Sequence, residues 1–258
     1  MPAPETRAAA GPRPDPTARA DAEVDLLGAL AAAQRAFAGL LDAADPDAAV
    51  PVCAPWTVTD LGLHLAGVHR WAAGMARGTD DGGDDPAEPR EPGALRAFYR
   101  EQADALLATL RALPADSPAL TLDGSGVAAF WHRRQLHETL VHLDDLARAA
   151  GAPHPLDDPA LWADGVDEVV TVMTPRQVRL GRIDPLDAPV LLVASDAGRS
   201  WALGPAGTRP DDAPVTVTGP ARALALLLWG RTSAADPALA VTGHRAALDA
   251  ALSRALTP

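Results

Sequence analysis

Residues 127–150 read VAAFWHRRQLHETLVHLDDLARAA, and the periodicity of this stretch decides the fold. Leu136, Leu140, Leu143 and Ala147 recur at the spacing of one helical face, while Trp131, Arg134, Glu138, His142 and Asp145 fall along the opposite one. Gly151 and Pro153 end the segment, because glycine accepts the left-handed conformation just past a helix and proline cannot continue one. A long helix with apolar residues on one side and a row of ionisable groups on the other needs further helices to cover it.

Upstream, those helices are legible. From Ala22 to about Ala44, Val24, Leu27, Leu30, Ala31, Phe37 and Leu41 repeat at helical spacing. Thr57 and Asp60 form a Thr-x-x-Asp capping signature that opens a second helix, running to about Arg77. Its apolar stripe of Leu61, Leu65, Val68, Trp71 and Met75 also contains His64. A run of Asp, Gly, Pro and Glu over 79–92 predicts an exposed loop, Gly93 to Leu113 a third helix, and 114–126 a second loop. Four helices joined by polar connections predict a bundle.

Beyond Pro155 the pattern changes. A helix is predicted over about Pro159–Leu180, β-type runs over Pro189–Ala194, Trp201–Leu203 and Val215–Thr218, and helices again over Pro220–Gly230 and Gly243–Leu256. The expected fold class is therefore α+β with more than one domain: a flexible Pro- and Ala-rich tail over 1–20, a four-helix bundle over 21–153, and a smaller α/β domain over 154–258.

Composition excludes several function classes. With 258 residues, 48% hydrophobic and 22% charged, the chain has enough apolar surface for real cores. A net charge of -12 repels a phosphate backbone, so no nucleic-acid partner is expected. No apolar run approaches the roughly 20 residues of a membrane span, and no secretory signal is evident, so neither membrane association nor export is expected. Cys53 is the single cysteine and cannot form an internal disulfide; a cytoplasmic location is expected. No coiled-coil seam declares a dimer, so a monomer is expected.

The chemistry lies on the polar face of 127–150. Glu138 and His142 are neighbours one helical turn apart, and such a pair can bind one ion but needs a third ligand, for which His64 is the candidate. Three ligands with one open position suit a catalytic zinc, whereas a closed structural site normally has four ligands and more cysteine. Spacing alone also allows a solvated Glu138–His142 surface pair and a core His64 satisfied by a carbonyl. His69, His132 and His137 fall on other helical faces and read as structural. Asp145 and Asp60 are placed to orient imidazoles, with helix capping an equal role for Asp60.

Two motifs together carry a resemblance: residues 50–65, VPVCAPWTVTDLGLHL, and residues 131–142, WHRRQLHETLVH. They resemble the mycothiol-dependent maleylpyruvate isomerase family, which has a DinB-like metal-binding four-helix bundle and a sterol-carrier-like C-terminal domain. The resemblance implies zinc ligands at His64, Glu138 and His142, and mycothiol as a low-molecular-weight thiol cofactor acting on a small-molecule substrate. In such an enzyme a thiolate adds to a cis alkene, the resulting single bond rotates, and elimination restores the alkene in trans. An arginine of the C-terminal domain reaches the active site in relatives, which implies Arg231 as the group that recognises a substrate carboxylate, with Arg134 in reserve. Cys53-Ala54-Pro55-Trp56 departs from the family's usual Cys-Pro-Gly-Trp, and Cys53 is expected to be a small buried hydrophobe. The same chemistry would also serve a mycothiol S-transferase acting on an electrophilic xenobiotic or biosynthetic intermediate, and a non-catalytic metal-binding module is the third reading.

Overall fold

The computed structural model describes residues 25–80, 89–205 and 207–258. The tail expected over 1–20 and most of the loop expected over 79–92 lie outside the described residues. The first helix, α1, spans Leu26–Ala43, and Asp25 caps it by accepting from the Gly28 N–H at 2.8 Å. By length and composition α1 could cross a membrane, which the sequence reading did not anticipate. Its apolar face, including Leu30, Ala33, Phe37 and Leu41, is buried in the bundle core.

A single 3-10 turn, Pro51–Cys53, leads into α2, Val58–Ala76. Thr57 and Asp60 form the reciprocal capping box, with the Asp60 side chain accepting from the Thr57 N–H at 2.8 Å. Asp60 also pairs with Arg90 at 2.7 Å. Capping is thus its role, and it does not orient a histidine. Helix α3 spans Pro92–Ala112 and α4 spans Ala129–Ala149. Helix α1 packs on α3 and α4, and α2 packs on the same two, so the order around the bundle is α1, α3, α2, α4.

Part of the loop expected over 114–126 is an antiparallel hairpin, β1 Pro118–Thr121 and β2 Gly124–Val127, and the following helix starts two residues later than the sequence predicted. Helix α4 is also not two-faced. From Arg134 to Ala147 every residue except Glu138 is buried, because α1 and α2 cover one side and the C-terminal half covers the other.

The single helix expected over 159–180 is three pieces: α5 Pro159–Glu168, a π turn Val169–Met173, and α6 Thr174–Arg179. The sheet has four strands, β3 Val190–Ala194, β4 Arg199–Leu203, β5 Val215–Gly219 and β6 Ala240–Gly243, in the order β4-β3-β5-β6. Strands β3 and β5 are parallel and the two outer pairings antiparallel. Burial alternates along β3 and β5, as expected of strands with one face on a core. Helices α7, Ala221–Leu228, and α8, Arg245–Leu252, pack on β3 and β5. The sequence missed β6 and began the last helix at Gly243, which instead ends the strand with φ 90°.

Candidate metal centre

The capping box fixes where α2 begins, and α2 then buries Leu61 and Leu65 and leaves His64 half-buried at the edge of the core. On α4, helical geometry stacks Glu138 and His142. Glu138 Oε1 lies 3.6 Å from His64 Nε2 and 3.3 Å from His142 Nε2. Donors of a tetrahedral ion, each about 2.0–2.1 Å from the metal, sit about 3.4 Å from one another. The two spacings centred on Oε1 match that edge, and all three donors lie within 4.8 Å. The His64 and His142 rings meet edge to face with centroids 4.9 Å apart, and Trp56 packs on His64 at 4.7 Å. The structure therefore brings together the three residues singled out from the sequence, with donor types and spacing that fit a divalent ion such as zinc.

Each donor is held from behind. His142 Nδ1 donates to Asp145 Oδ2 at 3.0 Å, which fixes the ring so that Nε2 faces Glu138. Asp145 is in turn gripped by Arg231, whose Nη2 and Nε donate to its two oxygens at 2.9 and 3.2 Å. Arg134 Nη2 donates to Glu138 Oε2 at 2.7 Å, and Arg134 Nη1 donates to Glu168.

The electrostatics follow from this packing. Burial pushes the His142 imidazolium towards deprotonation, but the Asp145 and Glu138 carboxylates outweigh it and raise its pKa to about 9 in the absence of metal. Burial also disfavours the Glu138 carboxylate, yet its close contacts with His142 and His64 and the Arg134 charge hold it well below the usual carboxylate range. Asp145 is likewise held low, against burial, by His142 and Arg231.

Three further residues stand beside the trio. Arg134 is 4% exposed with both terminal guanidinium nitrogens on carboxylates, so it braces Glu138. Arg231 comes from the loop after α7, reaches the site, and spends its nitrogens on Asp145 and the Trp229 carbonyl. Cys53 packs half-buried against the hydrophobic core, as expected of a small hydrophobe, and its Sγ also lies 3.4 Å from Asp145 Oδ2 and 3.6 Å from Arg231 Nη2. Burial first, then the Asp145 charge, raises its pKa to about 11, so it stays a thiol. Cys53, His142 and Asp145 also cluster within 4.8 Å, but both oxygens of Asp145 are taken by Arg231 and one also by His142, which leaves the His64 trio as the better ion site.

Glu168 escaped the sequence reading. The available signal was weak: Glu168 follows Asp167 and precedes Val169 and Val170 in a stretch that also carries Asp164. The other histidines are held elsewhere: His137 Nε2 donates to Asp164 at 2.6 Å and His69 Nδ1 to Gln135 at 2.9 Å.

Residues 27–147 match the protein family described as the mycothiol maleylpyruvate isomerase N-terminal domain, and residues 160–250 match the MDMPI C-terminal domain. No curated protein matches the sequence. Two crystal structures are similar, that of a mycothiol-dependent maleylpyruvate isomerase and that of a histidine-to-alanine mutant of it. Each aligns with a TM-score of 0.63 at 16% identity, over 85% of this chain and 92% of the other. At that identity the likeness is one of fold.

Proposed function

The chain belongs to the mycothiol maleylpyruvate isomerase family, and from that premise we propose that it is a metal-dependent enzyme using mycothiol for a cis–trans isomerisation of the maleylpyruvate type. The observation that carries the reading is the His64–Glu138–His142 trio, with spacings of 3.6 and 3.3 Å about one carboxylate oxygen. When bound, a divalent metal and the thiol would supply a thiolate at neutral pH, the nucleophile that reversible addition to an activated alkene needs.

The chain's own residues supply the rest. Asp145 holds the Nδ1 proton of His142 so that Nε2 serves as ligand, and Arg231 holds Asp145. Arg134 holds one oxygen of Glu138 and leaves the other towards the histidines. His64 has a 34% exposed side chain, so this edge of the trio faces the approach from solvent, beside Trp56. The proposal includes a cytoplasmic, monomeric protein, since a lone cysteine thiol and a thiol cofactor both persist in a reducing compartment.

A second reading, S-transfer from mycothiol to an uncharged electrophile, is favoured by the engagement of both Arg134 and Arg231 with internal carboxylates. Maleylpyruvate carries carboxylates that a guanidinium released from such pairs would have to bind. The deciding experiment incubates zinc-loaded protein and mycothiol with maleylpyruvate, and separately with an epoxide. A trans product with the thiol unconsumed supports isomerisation, a thioether of increased mass supports S-transfer, and neither product from the loaded protein overturns both and leaves a metal-binding module.

A further inference from the structure

Glu138, Arg134 and Glu168 form a carboxylate–guanidinium–carboxylate row, in which Arg134 is 4% exposed and the Glu168 side chain 2%. Glu168 ends α5, where the π turn begins, so this carboxylate reaches the bundle from the C-terminal half of the chain. A buried ionic row of this kind is seldom more stable than well-packed apolar residues of the same size, so stability alone does not account for it. Its geometry does. A guanidinium left alone with a carboxylate prefers the two-pronged pairing that occupies both oxygens. Here Nη1 is taken by Glu168, and only Nη2 reaches Glu138, at Oε2. The Trp229 ring lies 5.2 Å from the guanidinium carbon and limits its rotation. Oε1 is thereby left to the two imidazoles.

We propose that Glu168 is a positioning residue: by occupying one end of Arg134 it restricts Glu138 to donating a single oxygen to the metal, which keeps the fourth coordination position open for a thiol. This rests on the metal reading above. It also gives Arg134 a part other than substrate recognition.

The test uses cobalt(II) as the probe in the full-length protein, with visible absorption, X-ray absorption and titrated affinity as readouts. Wild type is expected to load and to show a four-coordinate ion with a one-oxygen carboxylate. Glu168→Gln is expected to weaken cobalt binding ~10- to 100-fold, the range for losing a group that orients a ligand, and to change the spectrum as Arg134 swings onto both oxygens of Glu138. The double variant Arg134→Met/Glu168→Met removes the row altogether; it is expected to fold and bind, with the weaker absorption of five-coordination as Glu138 donates both oxygens. A folded Glu168→Gln protein with wild-type spectrum and affinity overturns the proposal. If that variant does not fold, a wild-type spectrum from the double variant overturns it, as does a two-oxygen carboxylate in the wild type itself. Wild type that takes up no cobalt overturns the metal reading and this proposal together, whereas normal loading with unchanged variants overturns this proposal alone.

Discussion

His69 and His142 sit on packed neighbouring helices and are driven in opposite directions. His142 has Asp145 and Glu138 against it and is raised, whereas His69 is wholly buried with a single neutral partner, Gln135, and burial lowers its pKa to about 4. Among the described residues its Nε2 has no hydrogen-bond partner. In the unfolded chain a histidine titrates near 6.5, so below that pH the unfolded state takes up a proton that the native His69 refuses. The stability contributed by keeping His69 neutral is present above pH 6.5 and is lost as pH falls towards 4. The full difference amounts to about 3 kcal/mol at about 1.4 kcal/mol per unit. Urea unfolding at pH 7 and pH 4.5 should show this loss in wild type, and a smaller one in His69→Gln, which has nothing to titrate there. Equal losses in the two proteins would show that His69 does not carry the effect. In the sequence His69 already falls on another helical face than His64 and reads as structural, but its partner is not legible there. Only the packing shows that one faces the carboxylate and the other an amide.

At the scale of elements, α4 is held on its outer side by α5. Gly165 makes this contact close, since a Cβ there would stand 3.3 Å from His137 Nδ1, and His137 is pinned by Asp164. Gly165→Val should therefore push α5 from α4 and cost about 1–3 kcal/mol, the usual penalty of overpacking. Thermal unfolding would register it, and an unchanged melting temperature would mean the interface yields freely. The long helices were legible because each has a buried stripe that the sequence displays as periodicity. The hairpin and β6 were not, for the converse reason: β2 is exposed at all four residues and β6 at three of four, so no apolar alternation marks them. The interruption of 159–180 by a π turn was equally hidden, because one inserted residue shifts the phase of a pattern without breaking it.

Across the whole molecule, the C-terminal half grips α4 through charged pairs. Arg133 meets Asp164 and Asp167, Arg134 meets Glu168, Asp144 meets Arg222, and Asp145 meets Arg231. These partners are 31 to 86 residues apart in sequence, and no local pattern pairs them. The trio itself was found as candidates by spacing and by the two resembling motifs, but its geometry and its support from Asp145, Arg231 and Glu168 are properties of the folded chain. The central claim is that two helices of the bundle, braced by the sheet domain, form one site for a divalent ion. Elemental analysis of purified, zinc-dialysed wild type against His64→Ala tests it most directly. About one zinc per chain in wild type, lost in the variant because two ligands hold zinc poorly, is the expected result. Wild type that cannot be loaded, or a variant that retains zinc at full occupancy and unchanged affinity, would contradict it.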